Sequence, residues 1–264
     1  MAEMFANALG YEDMMGRWSA RLAPLFVRFA RIGNAGRVLD VGCGTGSLVK
    51  FLAAASPRFE IVGIDPAQPF IEYARTQFSD PRVTFDRASA LDLPYPTGSF
   101  DDTLSLLVLM FVPEPEKAVQ EMRRVTRPGG TVAACTWDRD GLEMSSGFWE
   151  EAVTLDPEAE ARSERPRHLT RSGQLTALWR ATGLQHVEEV ALEISMDFSS
   201  FDDYWQPYLK GVGPPGVYVA SLSPDRRETL RNAIRKRFLG DSPDRPFSLQ
   251  AKALAVRGSV PGVQ

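Results

Sequence analysis

The chain has 264 residues, of which 44% are hydrophobic and 24% charged, proportions typical of a globular protein that can bury a full core. Its formal net charge is -4 and its pI is near 5.4. Because proteins that bind nucleic acid through its phosphates carry a basic patch, we expect no nucleic-acid partner.

The cysteines, the amino terminus and the apolar stretches together predict a cytoplasmic protein. Cys43 and Cys135 lie far apart and outside any CxxC pair or metal-ligand cluster, so we expect free thiols and no metal. The first ten residues, MAEMFANALG, lack the basic start and the apolar run of a signal peptide. The longest apolar stretch, Leu104 to Val112, is about half as long as a bilayer span, so we expect no membrane partner.

The first half of the chain alternates strand-like and helix-like segments, as the βαβ units of a parallel sheet do. Strands are predicted at Arg37–Val41, Glu60–Asp65, Arg82–Asp86, Phe100–Val108 and Thr131–Trp137. Helices are predicted at Gly46–Ala55, Gln68–Phe78 and Pro113–Arg127, with Pro128-Gly129-Gly130 as a loop after the last of them.

The second half is less regular. We predict a helix at Arg171–Thr182, a strand at His186–Met196, a mostly helical insertion over residues 199–245 with a basic helix near Asp225–Phe238, and a last strand at Phe247–Arg257. The predicted fold class is α/β, with a doubly wound, mostly parallel seven-stranded sheet and helices on both faces. The last strand is antiparallel, and the helical insertion precedes it.

The segment VLDVGCGTGSL at residues 38–48 places three glycines at the turn between a strand and a helix, where a ligand can approach the main chain. A phosphate-binding Walker loop would need GK[ST] at its end, which is absent. A dinucleotide fingerprint would need glycine at Ser47 or Val49. Asp65 ends the next strand, where a carboxylate can accept hydrogen bonds from ribose hydroxyls. The pattern predicts a nucleoside ligand that needs no pyrophosphate.

Four segments in register resemble the class I S-adenosylmethionine-dependent methyltransferases, and within them the group that acts on small molecules (type 11-like). VLDVGCGTG resembles their first motif and IVGIDPA their acidic second motif. LPYPTGSFDDTLSLLVLMFV resembles the stretch entering the fourth strand, and EMRRVTRPGGTV the lead into the fifth. The resemblance covers about residues 11 to 138 and implies S-adenosyl-L-methionine as the cofactor.

The resemblance implies roles for particular residues around this cofactor. The main chain near Gly42 and Gly44 would meet the amino acid end, Asp40 its ammonium and Asp65 the ribose diol. Ser89 stands where the family often has an acid facing adenine, so the main chain of Ala90 and Leu91, or Asp92 or Asp86, would complete that contact. The implied cofactor-binding set is Asp40, Gly42, Cys43, Gly44, Thr45, Gly46, Asp65, Pro66, Ala67, Ser89, Ala90, Leu91, Ser105 and Leu106.

Further residues follow from segments outside the motifs. YEDMMGRWS at 11–19 resembles a segment that folds over the cofactor in this family, and its candidates for cofactor contact are Tyr11, Arg17 and Trp18. The candidates for binding the methyl acceptor are Met110, Phe111, Trp137, Trp205 and Tyr208. Their aromatic and methionine content predicts a small, largely apolar acceptor.

These assignments give one domain over residues 1–264, divided by role. Residues 1–35 form an amino-terminal helical cover and 36–138 the cofactor-binding core. Residues 139–198 form a linker, a helix and the sixth strand, 199–245 the insertion over the acceptor site, and 246–257 the last strand.

The predicted activity is methyl transfer from S-adenosylmethionine to an oxygen, nitrogen or carbon atom of a small molecule, with no catalytic residue assigned. His168 and His186 are interpreted as surface or strand residues, and the arginines of the basic helix as its solvated face. Two alternatives remain open: a protein that binds the cofactor without turnover, and an NAD-dependent oxidoreductase. Ser47 and the lack of a tyrosine–lysine pair for hydride transfer disfavour the second.

Overall fold

The computed structural model describes residues 8–159 and 168–262, so the first seven residues of the predicted cover and eight residues of the 139–198 segment lie outside it. Its helices are α1 (Ala8–Tyr11), α2 (Arg17–Ala30), α3 (Ser47–Ala55), α4 (Gln68–Gln77), α5 (Pro115–Val125), α6 (Glu143–Leu155), α7 (Gln174–Ala181), α8 (Phe201–Trp205), α9 (Gly213–Ser221) and α10 (Pro224–Leu239). A π-helix spans Glu12–Gly16, and short 3-10 helices span Leu109–Phe111 and Gln206–Lys210.

The strands are β1 (Gly36–Val41), β2 (Phe59–Asp65), β3 (Val83–Arg87), β4 (Phe100–Leu106), β5 (Thr126–Leu142), β6 (Gln185–Phe198) and β7 (Phe247–Ser259). They form one seven-stranded sheet in the order β3-β2-β1-β4-β5-β7-β6. The first five strands are parallel, and β7 runs antiparallel between β5 and β6. The predicted fold class is therefore confirmed, including the antiparallel last strand and the helices that precede it.

Alternation along the strands builds a core on each face of the sheet. On β1, Val38 packs into the core beneath α2 and α3, whereas Leu39 and Val41 pack into the opposite core with α5 and α7. On β5, Cys135 joins the first core and Val132 the second, where its carbonyl accepts a hydrogen bond from the indole nitrogen of Trp179 at 3.0 Å. Both faces are thus covered, as a parallel sheet requires.

The fifth strand is longer than predicted, and the segment Pro128-Gly129-Gly130 lies inside it instead of forming a loop. Thr126 already pairs with Phe100, and Gly129 donates to the carbonyl of Val260 at 2.9 Å. At the other end, Leu142 pairs with Ala251 after an irregularity that follows Trp137. The extra pairings thus come from β4, from the residue after β7 and from β7 itself, and no local sequence signal predicts them.

The arginines of the basic helix α10 do more than form the predicted solvated face, because several of them form ion pairs. Arg237 donates to Glu151 at 3.0 Å and thereby ties α10 to α6, while Arg231 donates to Asp202 of α8 at 2.8 Å. Arg226 lies 3.5 Å from Asp156. These ion pairs are partly exposed, so each adds little stability alone; those of Arg237 and Arg226 connect α10 to α6 and its carboxyl end, and that of Arg231 connects two helices of the insertion.

Within the described ranges, no helix combines the length and hydrophobicity needed to cross a bilayer.

Candidate functional site

The glycine turn follows β1 and contains three residues with positive φ: Gly42 at 79°, Gly44 at 53° and Gly46 at 95°. A methyl group added at Gly42 would lie 2.4 Å from the side chain of Val108, and one at Gly46 would lie 2.8 Å from the ring of Phe78. These two glycines are required by packing. A methyl group at Gly44 would lie 3.9 Å from the rings of Phe70 and Tyr11, in ordinary van der Waals contact, beside a small space that Tyr11, Asp40, Gly42 and Gly44 help to line. We name this space the glycine crevice.

Asp40 lies at the bottom of the glycine crevice, two residues before Gly42. Its side chain is 1% exposed, and neither carboxylate oxygen has a hydrogen-bond partner among the described residues. Burial raises the pKa of Asp40 to about 8, with a further contribution from the charge of Asp65. A buried carboxylate without a partner is costly, so Asp40 is suited to receive a cationic group.

Asp65 ends β2 beside the turn and binds two main-chain nitrogens. Gly44 donates to Oδ2 at 3.1 Å and Ala67 donates to Oδ1 at 2.8 Å. Burial raises the pKa of Asp65, while these two hydrogen bonds oppose the rise. Each carboxylate oxygen accepts only one of these bonds, so each can accept another from a ligand hydroxyl.

The residues predicted to face adenine lie next to Asp65. Because β2 and β3 are paired through Asp65 and Arg87, the segment Ser89–Leu91 follows β3 at the same edge of the sheet as Pro66 and Ala67. Ser89 is exposed, and its hydroxyl oxygen accepts a hydrogen bond from the main chain of Leu91 at 3.2 Å. The Ser89 hydroxyl can still donate its proton to a ligand, and its second lone pair can accept one further hydrogen bond.

The amino-terminal cover closes over the crevice through Tyr11 and the π-helix. The Tyr11 ring lies 5.2 Å from that of Phe70, and Glu12 accepts a hydrogen bond from the hydroxyl of Thr45 at 2.6 Å. Burial raises the pKa of Tyr11 to about 12, so its hydroxyl stays protonated near neutral pH. The crevice has a volume of only about 20 Å³, which is room for about one water molecule with its wall as it stands.

Three predicted cofactor contacts are placed differently by the structure. Arg17 donates to Asp203 at 2.9 Å and stacks over Trp18, whose indole is 1% exposed and packs against Phe198. Both therefore anchor α2 to β6 and α8, away from the glycine crevice. The hydroxyl of Ser105 is fully buried and donates to the carbonyl of Val41 at 2.9 Å, so only its neighbour Leu106 lines the crevice.

A second space, which we name the apolar cavity, adjoins the crevice at Tyr11, since this residue lines both. The cavity has a volume of about 120 Å³. Four of the five predicted acceptor residues line it: Met110, Phe111, Trp137 and Tyr208. Trp205 does not, because its side chain is 2% exposed and packs against Phe201 and Tyr208 within the helical insertion.

Sequence reasoning missed several residues of the cavity wall. Leu107 lines it with a left-handed backbone, φ 63°, which is rare for a residue other than glycine and has no sequence signature. Met14, Met15 and Met144 also line the cavity. Met14 and Met15 lie in the cover segment already identified from the sequence. The two adjacent methionines there were the signal that could have pointed to the cavity wall.

The two histidines lie outside both spaces. His168 is exposed, and His186 is also exposed and contacts the hydroxyl of Ser259 at 2.9 Å. Neither histidine lines the crevice or the cavity.

Comparisons with known proteins agree with this arrangement. Residues 39–134 match a family model described as a methyltransferase domain. An uncharacterized protein of Mycobacterium tuberculosis is 33% identical over 138 residues, which are 51% of this chain and 50% of that one. A phosphatidylethanolamine N-methyltransferase of Cereibacter sphaeroides is 32% identical over 154 residues, 50% of this chain and 74% of its own.

Among solved structures, phosphoethanolamine N-methyltransferase 2 of Haemonchus contortus, in complex with S-adenosyl-L-methionine, aligns with a TM-score of 0.58. It is 18% identical, and the alignment covers 96% of this chain and 56% of that one, which shows a shared fold. The chain thus spans about half the length of the first curated relatives that it matches.

Proposed function

Because the chain belongs to the S-adenosylmethionine-dependent methyltransferases of class I, we propose that it transfers a methyl group to an oxygen, nitrogen or carbon atom of a small, largely apolar metabolite. One observation carries the proposal. The carboxylate of Asp40 is buried beside a glycine turn with no hydrogen-bond partner in the part of the chain that the structure describes, and this crevice adjoins a cavity of about 120 Å³ at Tyr11. A cationic ligand and an apolar molecule would therefore meet at one point.

The residues around the crevice fit the two ends of the cofactor. Asp40 would bind its ammonium, since that carboxylate lacks any other partner among the described residues. The main chain of Gly42 and Gly44 would meet the carboxyl end, because both glycines line the crevice. Asp65 would bind the ribose hydroxyls, and Pro66, Ala67 and the 89–91 segment would lie along the adenine.

S-adenosylmethionine supplies a methyl group already activated by a sulfonium. The protein then has to orient the two reactants and exclude water, and orientation of this kind is worth roughly 7 to 11 kcal/mol. Tyr11 lines both the crevice and the cavity, and Leu107 and Met110 add apolar surface to the cavity wall. The described lining of the cavity contains no histidine, and we assign no general base.

The cover and the insertion complete the proposed acceptor site. The cover approaches the insertion closely, because an added methyl group at Gly213 would lie 2.9 Å from Met14. Lys210 of the insertion forms an ion pair with Asp13. Acceptor binding would therefore depend on both segments, consistent with the roles assigned to residues 1–35 and 199–245 of one domain.

The test uses cofactor carrying a tritiated methyl group. Calorimetry with S-adenosylhomocysteine first establishes whether the folded protein binds the demethylated product. Incubation of the labelled cofactor with a metabolite extract is then expected to label a small organic-soluble molecule, and Asp65→Ala protein serves as the matched control. Binding without any labelled product would favour a non-catalytic cofactor-binding protein, and failure to bind at all would overturn the assignment.

A further inference from the structure

The apolar cavity is lined largely by sulfur-containing and aromatic side chains. Its wall includes Met14, Met15, Met110, Met144, Phe111 and Trp137. Such side chains favour flat apolar ligands, since aromatic rings and thioethers pack well against ring faces and edges. The apolar wall alone would not distinguish one flat molecule from another.

One polar group in the buried part of this wall has no hydrogen bond of normal geometry among the described residues. The side chain of Tyr208 is 2% exposed, and its hydroxyl forms no hydrogen bond of normal geometry among the described residues. The adjacent Tyr204, whose ring centroid is 5.2 Å away, donates its own proton to the carbonyl of Met144 at 3.1 Å. A buried hydroxyl without a partner is unfavourable, so a ligand oxygen that accepts its hydrogen bond gains affinity.

The Tyr208 hydroxyl acts as a donor near neutral pH. Burial raises the pKa of Tyr208, and a smaller hydrogen-bonding effect of the Tyr204 side chain lowers it. The group therefore does not become a phenolate that could remove a proton from the acceptor. Its chemistry restricts it to positioning an oxygen or another hydrogen-bond acceptor.

The two charged residues on the described wall of the cavity both keep contact with solvent. Asp138 is half-buried and Arg139 is exposed, and the other described lining residues are uncharged. A charged group inserted beyond them would lose its hydration without gaining an opposite charge. The part of the acceptor that enters the cavity is therefore uncharged.

We propose that the acceptor inserts an uncharged, flat apolar body that carries a hydroxyl or carbonyl oxygen, and that the hydroxyl of Tyr208 donates a hydrogen bond to this oxygen. The inference rests on the proposed methyl transfer and narrows its acceptor to neutral phenol-like or ketone-like molecules. Tyr208 is then the residue that selects such molecules over hydrocarbons and over amines that are cationic at neutral pH.

The experiment measures binding of three matched probes to the protein saturated with S-adenosylhomocysteine. The probes are 2-naphthol, naphthalene and 2-aminomethylnaphthalene, the last of which is a cation at neutral pH, and quenching of protein fluorescence reports their binding. We expect 2-naphthol to bind about tenfold more tightly than naphthalene, and the cation more weakly than naphthalene. Tyr208→Phe is expected to remove the preference for 2-naphthol while leaving the affinity for naphthalene unchanged.

Tyr204→Phe is the matched control, since it removes a buried tyrosine hydroxyl that does not line the cavity. It is expected to keep the preference for 2-naphthol. Circular dichroism melts of both variants show whether the fold is retained. A preference for 2-naphthol that survives Tyr208→Phe, a cation that binds as tightly as 2-naphthol, or no binding of any probe overturns the inference. Failure to bind S-adenosylhomocysteine, measured first, contradicts the proposed function instead.

Discussion

Asp65 accepts a hydrogen bond from the main-chain nitrogen of Gly44 at 3.1 Å, so the acid that ends the second strand holds the glycine turn that follows the first. The same carboxylate accepts a bond from Ala67 at 2.8 Å. The Asp65 side chain thus holds both the glycine turn and the start of α4. It also lies where it could accept hydrogen bonds from the proposed ribose hydroxyls.

Asp65→Ala is expected to lower the affinity for S-adenosylhomocysteine at least about 100-fold, because the ligand loses two charge-assisted hydrogen bonds and the turn loses its support. Isothermal titration calorimetry measures the change. Asp102→Ala is the matched control, since Asp102 is also buried and accepts a main-chain bond, from Thr131 at 2.9 Å, but lies away from the crevice. Equal losses of affinity in both variants would indicate a general effect on the fold.

Gly44→Ala is expected to leave the protein folded but to abolish cofactor binding. The added methyl group meets no protein atom closer than 3.9 Å, so the cost to folding is the left-handed backbone alone, about 1 kcal/mol. The same group would occupy the crevice. Gly173→Ala is the matched control, because its φ of 83° is also left-handed and nothing lies within 4 Å of the added methyl group.

Gly42→Ala separates packing from ligand space. Its methyl group would lie 2.4 Å from Val108, so we expect a loss of folding stability larger than that of Gly44→Ala. Thermal denaturation of Gly42→Ala, Gly44→Ala and Gly173→Ala measures the order of their folding stabilities. Should Gly44→Ala bind S-adenosylhomocysteine as tightly as the unmodified protein, the crevice would not be the cofactor site.

The sequence predicts the glycine turn and Asp65 because their roles depend on a few neighbouring residues and on strands paired in order. The roles of Arg17 and Trp18 could not be predicted in this way. Arg17 is paired with Asp203, 186 positions along the chain, so the side of α2 that faces the crevice is decided by β6 and α8. Trp205 belongs to the same aromatic packing, and the left-handed backbone of Leu107 depends on tertiary contacts that local sequence does not encode.

The affinity for the cofactor is expected to rise with pH between 6 and 8. The pKa of Asp40 is raised to about 8, so in the free protein the group is mostly protonated at pH 6 and cannot pair with an ammonium. Each pH unit below 8 therefore costs up to about tenfold in affinity, and the dependence levels off above 8. Calorimetry over this range tests it, and Asp40→Asn is expected to bind weakly with no such slope.

The same raised pKa affects stability in the opposite direction. The unfolded carboxyl titrates near 3.8 and the folded one near 8, so the folded state holds the extra proton between these values. The contribution of Asp40 to folding stability is therefore complete below pH 3.8 and falls by about 1.4 kcal/mol per unit as the pH rises to 8. Asp40→Asn is expected to melt at a higher temperature than the unmodified protein at pH 8, with the difference shrinking toward pH 5.

Arg17→Gln distinguishes the structural role found for Arg17 from the cofactor contact predicted for it. Arg17 donates to Asp203 at 2.9 Å and lies 4.3 Å above the ring of Trp18, and its side chain is 35% exposed. Loss of this partly screened pair is expected to lower the free energy of unfolding by about 1 kcal/mol.

Because Arg17 does not line the crevice, the affinity for S-adenosylhomocysteine should change less than twofold. Tyr11→Ala, which removes a ring that lines the crevice and packs against Phe70, should instead weaken binding strongly and also lower the free energy of unfolding. Weaker binding in Arg17→Gln at unchanged stability would return Arg17 to the cofactor site and require α2 to rotate when the ligand binds.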